Sequence, residues 1–175
     1  AGVLGWVNSI TKDKIAAITW EKTVTAMKEV ISADDFSDAM DLTDDMTAAA
    51  TAQGGTLAAV YQAQSGGQPI GYAINVESSG SQGTISMMVG IDMDGAVTGV
   101  SIVTNSETSG IGSKVMGNEP LTNGTGVLDQ FIGKSAADGT LSVGSNVDAI
   151  TGATVSTKGV TTGVNAALAV AGVIG

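Results

Sequence analysis

Four hydroxyl side chains crowd one short stretch, "DAITGATVSTKGV", residues 148–160, near the end of the 175-residue chain. Thr151, Thr154, Ser156 and Thr157 surround Gly152 and Ala153, whose small size lets another group approach the backbone. "VDAI" reads as extended, "TGAT" as a turn, and the residues that follow as a helix. A helix start leaves backbone N–H groups without intrahelical acceptors and carries the positive end of the macrodipole. An anion such as phosphate suits that place. A plainer reading covers the same residues, because Ser and Thr hydroxyls commonly cap helices. Spacing alone leaves both readings open, and the cap is the simpler.

The rest of the chain is chemically bare. It has no His and no Cys, and its seven basic residues are all Lys. That excludes Ser-His-Asp and Cys-His nucleophilic sites, Cys/His zinc, iron–sulfur ligation and c-type haem attachment. Disulfides are excluded too, so cysteine usage says nothing about compartment. A formal charge of −10 argues against nucleic acid as a partner, since phosphates need compensating cations. Any redox chemistry must therefore be carried by a cofactor. Asp34, Asp35, Asp38, Asp41, Asp44 and Asp45 cluster in "ADDFSDAMDLTDD" but lack the ordered spacing of a calcium loop, and read as a solvated acidic face. "DMDG", residues 92–95, resembles a calcium-loop fragment, yet between two candidate strands it reads as a hairpin turn. No metal site is expected.

The elements that must position the hydroxyl-rich stretch follow from hydrophobic period. Ile15, Ile18, Val24, Met27 and Ile31 recur at helical offsets from Thr11 to Ile31, which predicts an amphipathic helix. From Thr56 the period changes to two. "TLAAVYQAQ", "PIGYAINVE", "TISMMVGID" and "AVTGVSIVT" are four candidate strands joined by short turns, hence an antiparallel sheet of hairpins. Ile70, Tyr72, Ile74 and Val76 alternate along the second strand and predict one buried face. "NSETSGIGSKV" is a Gly-punctuated loop leading to a short helical turn, and "EPLTNGTG" is a turn region. "VLDQFIGKS" resembles one or two helical turns, with a short strand expected around Leu141 to Val143. Val160, Val164, Leu168 and Ala171 then line one face of a last helix over residues 155–174. Gly159 and Gly163 lower its propensity by about 1 kcal/mol each relative to Ala, which suggests close packing on the sheet.

The first seven residues of "AGVLGWVNSITKDK" are apolar, short of the roughly 20 that a bilayer span needs. Trp6 followed by polar residues and two Lys resembles the water-side edge of a membrane helix, and an ordinary N-terminal helical turn fits equally. The expectation is an anchor end or juxtamembrane segment over residues 1–10 and a single domain over 11–175.

"DAITGAT" matches the pattern Asp-x-x-Ser/Thr-Gly-Ala-Thr/Ser, the acceptor motif that flavin transferases modify in the FMN-binding domain family. "TNSETSGIGSKV" resembles that family's Glu-Thr-Pro-Gly-Leu-Gly loop, in the right order and after the right strand. "GYAINV", "MMVGIDMDGAVTGVSIV", "LDQFIGKS" and "VNAAL" resemble its Rnf-type members, and "VNSITKDKIA" is similar to the segment after their single membrane helix. The family includes the G subunit of the Rnf complex and the C subunit of the sodium-translocating NADH:quinone reductase.

The resemblance implies covalent FMN, esterified through its phosphate to the hydroxyl of Thr154. Asp148, Thr151, Gly152, Ala153, Val155, Ser156 and Thr157 would be transferase-recognition or phosphate-proximal residues. Glu107, Thr108, Gly110, Ile111 and Gly112 would form the loop beside the flavin ring. Lys158, one turn in, could add a screened attraction, though a surface Lys explains it equally well. Ser109 stands for the usual Pro, Ile111 for Leu, and Ser81 for an aromatic residue of many relatives. The implied protein is an electron-transfer subunit of an Rnf-type ion-translocating ferredoxin:NAD oxidoreductase. Its partners would be the other membrane subunits and a flavin transferase. Its N-terminal anchor would be mostly absent from this chain, with the domain on the extracytosolic side. A stand-alone flavinylated domain of another extracytosolic chain is the alternative, and a non-redox acidic surface domain the third. The expected fold class is α+β: an N-terminal helix, a central antiparallel sheet of about four strands, and a C-terminal helix preceded by the attachment turn.

Overall fold

The computed structural model describes residues 21, 24–37, 40–79, 83–105, 118–121, 123–135, 138–150 and 152–174. Helix α1 (residues 24–30) is followed by β1 (Asp35–Phe36), α2 (Asp44–Ala52), β2 (Thr56–Ser65), β3 (Gln68–Ser79), β4 (Thr84–Asp92) and β5 (Val97–Asn105). A 3₁₀ turn (Asp129–Phe131) and helix α3 (Thr154–Ile174) complete the order. The strands form one antiparallel sheet in the order β1-β2-β3-β4-β5, a meander in which each strand pairs with its sequence neighbour. The α+β expectation holds.

The four expected strands are β2 to β5, and their turns show why the register is well defined. Gly66 and Gly67 have φ of 59° and 78°, the pair of positive values that a two-residue type I′ hairpin requires. At the β4–β5 turn the Asp92 carboxylate accepts from Asp94 N at 2.9 Å and Ala96 N at 3.0 Å. "DMDG" is thus a hairpin turn closed by its own aspartate, as its place between strands predicts.

Both faces of the sheet are covered, which the single-face expectation missed. On one face Val60, Ile74, Val76, Ile85, Met87, Val89 and Ile91 meet Met46 and Ala50 of α2 and Val160, Val164 and Leu168 of α3. On the other, Ala63, Ala73 and Met88 meet Ala26, Met27, Val30 and Ile31 around α1. The central strand β4 is accordingly buried from Ile85 through Ile91. Tyr72, Ile74 and Val76 lie in or against the first cluster, but Ile70 packs on the second. The register runs from Ala63↔Gly71 to Gln64↔Pro69, so Ile70 is the extra residue of a bulge and faces the other way.

Close approach is built from glycine. Gly90 and Gly99 are register partners on β4 and β5, and a Cβ on either would strike the Val30 backbone at the end of α1. Thr98 Oγ donates to Val30 O at the same contact. A Cβ on Gly163 would strike the Met87 side chain, and Ser78 Oγ donates to Gly159 O at 2.6 Å, so Gly159 and Gly163 lie where the helix meets the sheet. Of the predicted N-terminal helix, residues 24–30 are observed, while Ile15 and Ile18 lie outside the described residues.

Two elements differ from expectation inside the acidic segment. β1 adds a fifth, two-residue edge strand, with Asp34 Oδ2 accepting from Ser65 Oγ and Gly66 N at the β2–β3 turn. Helix α2 begins at the N-cap Thr43, whose Oγ accepts from Met46 N at 3.2 Å, and its first turn holds Asp44 and Asp45 where the helix dipole favours them. Asp34, Asp35, Asp41, Asp44 and Asp45 are exposed, as a solvated face requires, and Asp38 lies outside the described residues.

The short strand expected at Leu141–Val143 is only an isolated parallel bridge, Val143↔Val147. The backbone of Leu141 is instead bonded to a side-chain amide: its N–H donates to Asn165 Oδ1, and Asn165 Nδ2 donates to its carbonyl, both at 2.9 Å. The predicted helical turns in "VLDQFIGKS" reduce to the 3₁₀ turn.

Candidate functional site

The start of α3 is built by a turn with no strand before it. Residues 148–150, predicted extended, pair with no strand, because the backbone of Asp148 bonds to the side chain of Gln130. Asp148 N donates to Gln130 Oε1 at 2.7 Å, and Gln130 Nε2 donates to Asp148 O at 2.7 Å and to Val127 O at 2.8 Å. The chain then folds back through Ala153 N donating to Ile150 O at 2.8 Å, with Gly152 at φ 83° in the turn's third position. Glycine reaches that conformation without the Cβ penalty other residues incur there.

Helix α3 then begins without a hydroxyl at its N-cap. Thr157 N donates to Ala153 O at 3.0 Å, the first intrahelical bond, so Ala153 is the N-cap and its methyl accepts nothing. The backbone N–H groups of Thr154, Val155 and Ser156 have no acceptor within the helix. Thr157 Oγ donates back to Ala153 O and Thr161 Oγ to Thr157 O, each at 2.8 Å, so these hydroxyls serve carbonyls inside the helix. The simpler reading, in which Ser and Thr cap the helix, does not describe Thr157.

Exposure sorts the hydroxyls. Thr154 and Val155 are exposed, while Ala153, Ser156 and Thr157 are buried, Thr157 completely. Lys158 is exposed one turn in, and Asp148 presents its carboxylate to solvent from a backbone held by Gln130. Thr154 is therefore a solvent-facing hydroxyl on the first residue of a 21-residue helix whose first turn holds no acid. A phosphate ester on that oxygen would sit against the positive helix end, and its remaining charge would meet backbone N–H groups. The residues present fit an FMN phosphate.

Asp148, Gly152, Ala153, Thr154, Val155, Ser156 and Thr157 thus come together at one helix end. Thr151, Ser81, Ser109 and the loop residues Glu107, Thr108, Gly110, Ile111 and Gly112 lie outside the described residues. Sequence reasoning missed Gln130 and Asn165, the two amides that anchor the segment leading to the turn. A faint signal existed for Asn165, an amide inside the otherwise small and apolar "GVNAAL".

Helix α3 is long and apolar enough, by length and composition, to cross a membrane. Val160, Val164, Ala167, Leu168 and Val170 are buried in the main core cluster, however, so here it is a core helix.

The FMN-binding domain family matches residues 80–169, just over half of the 175. The G subunit of the Na(+)-translocating ferredoxin:NAD(+) oxidoreductase complex of Acetobacterium woodii is 40% identical over 119 residues, covering 63% of this chain and 54% of that relative. Its counterpart in the proton-translocating ferredoxin:NAD(+) oxidoreductase complex of Clostridium ljungdahlii is 36% identical over 112 residues, or 62% of this chain and 57% of that protein. The G subunit of the ion-translocating oxidoreductase complex of Methanosarcina acetivorans is 29% identical over 173 residues, 96% of this chain and 85% of its own. The chain spans little more than half the length of the first two relatives. With the matched region running from the β3–β4 connection through the turn before α3 and most of that helix, the chain belongs to the FMN-binding domain family.

Proposed function

We propose that this chain is an electron-transfer flavoprotein subunit that holds FMN covalently on Thr154. The observation that carries the proposal is the exposed Thr154 at the start of α3, next to the N-cap Ala153 and beside Ser156 and Thr157, which are buried. Attachment needs an activated flavin such as FAD and a flavin transferase. The Thr154 Oγ–P bond forms, the pyrophosphate P–O bond breaks, AMP leaves, and the hydroxyl proton passes to solvent. Bound FMN would supply the one- and two-electron redox chemistry that a chain without His or Cys lacks.

The chain's own part is binding and placement. The first-turn N–H groups and helix dipole stabilise the phosphodiester charge. Gly152 and Ala153 leave the approach to Thr154 open, and burial of the helix behind them fixes the ester to a rigid element. Glu107, Thr108, Gly110, Ile111 and Gly112 would border the flavin ring, as the family resemblance implies. The names of the relatives support a place within an Rnf-type ion-translocating ferredoxin:NAD oxidoreductase, among other membrane subunits. In that setting the domain would stand on the extracytosolic side, anchored by a single N-terminal span.

Co-expression with a flavin transferase tests the proposal. Denatured wild-type protein should keep flavin absorbance and a mass increment of one FMN. Thr154→Ala should lose both, and Thr154→Ser, which keeps a hydroxyl, should retain them. Wild type without flavin, or Thr154→Ala indistinguishable from a flavinylated wild type, would rule the attachment out.

A further inference from the structure

The turn before α3 is held from outside by Gln130, a side chain of "LDQFIGKS" to which the resemblance assigns no role. Both backbone groups of Asp148 are bonded to the amide of Gln130, at 2.7 Å each, and the same amide nitrogen reaches Val127 O at 2.8 Å. Gln130 is itself well founded. It lies in the 3₁₀ turn, beside the fully buried Phe131. Asn118 Oδ1 accepts from Leu128 N and Asp129 N at the start of that turn, and Gly133 N donates to Val97 O of β5 at 2.7 Å. A continuous line of fixed contacts therefore runs from the sheet edge through Gln130 to Asp148.

We propose that Gln130 is a positioning residue for flavin attachment, holding Asp148 and the turn that follows in the conformation a flavin transferase reads. This rests on the attachment of FMN to Thr154 proposed above. An amide suits the task because it donates and accepts side by side, as a neighbouring strand would, and so fixes the peptide orientation at Asp148. The Asp148 carboxylate is left exposed for recognition. Without the clamp, the one bond of residues 148–150 to other described residues is that from Ala153 N to Ile150 O, which closes the turn. The recognised conformer then becomes a fraction of the ensemble, and apparent affinity falls by that fraction.

The test is flavinylation of the purified protein by a purified transferase with FAD, together with amide hydrogen exchange resolved at Asp148. Gln130→Met, similar in length but unable to form the clamp, should raise the KM for the protein substrate about tenfold, with kcat within about twofold. Its Asp148 amide should exchange roughly tenfold faster while α3 core amides keep wild-type rates. Gln130→Glu keeps the acceptor for Asp148 N and loses the donor, so its KM should fall between the two, and it stands in should the Met variant fail to fold. A folded Gln130→Met with wild-type KM would overturn the proposal. So would a fall in kcat with KM unchanged, or a Glu variant no better than Met. Wild type that takes up no flavin would instead overturn the attachment itself, even where the Asp148 amide is protected, so the two failures are distinguishable.

Discussion

Thr154 and Thr157 are three residues apart and have opposite fates. Thr154 faces solvent, whereas the Thr157 hydroxyl is buried and donates to Ala153 O at 2.8 Å. Thr157→Val should therefore lower stability by about 1 kcal/mol, the worth of one hydrogen bond. In a domain of this size that is a shift of roughly 2–4 °C in the thermal midpoint. The same variant should carry a full complement of FMN, measured by absorbance of the denatured protein. Loss of FMN from a folded Thr157→Val would mean that the hydroxyls do not divide as described. Thr154 is the proposed acceptor through family resemblance alone. Which neighbouring hydroxyls were buried depended on α3's orientation against the sheet, and spacing alone left that open.

At the scale of elements, the sheet and α3 were legible because their signals are local. Alternation over "TISMMVGID", the Gly-Gly turn and the aspartate-closed "DMDG" turn each mark structure within a few residues. Helix α2 was not read, although "TDDMTAAATA" carries an N-cap Thr, two first-turn acids and good helix formers. The density of aspartates drew attention to charge, not to capping. The expected strand at Leu141–Val143 failed for a long-range reason, since Asn165 comes from a helix 24 residues away in sequence. Asn165→Leu should leave the N–H and carbonyl of Leu141 without these partners and cost about 1–3 kcal/mol in denaturant unfolding. An unchanged midpoint would show that water replaces the amide fully. Gly90→Ala should be similarly costly, about 1–3 kcal/mol, because its methyl meets the Val30 backbone, which cannot yield as a side-chain tip can. Its hydrogen exchange should rise first in α1, and uniform exchange across the sheet would contradict that.

Across the whole molecule, the sheet is covered on both faces, and α3 buries its apolar side in the larger core cluster while its first residue faces water. This arrangement would tie the proposed flavin attachment point to a helix buried in the core, with the redox chemistry supplied by the cofactor. The most direct measurement of that account is peptide-level tandem mass spectrometry on the protein co-expressed with a flavin transferase. A single FMN phosphoester, located on Thr154, is expected. An FMN on Thr151, Ser156 or Thr157, or a Thr154 peptide that carries none, would contradict it.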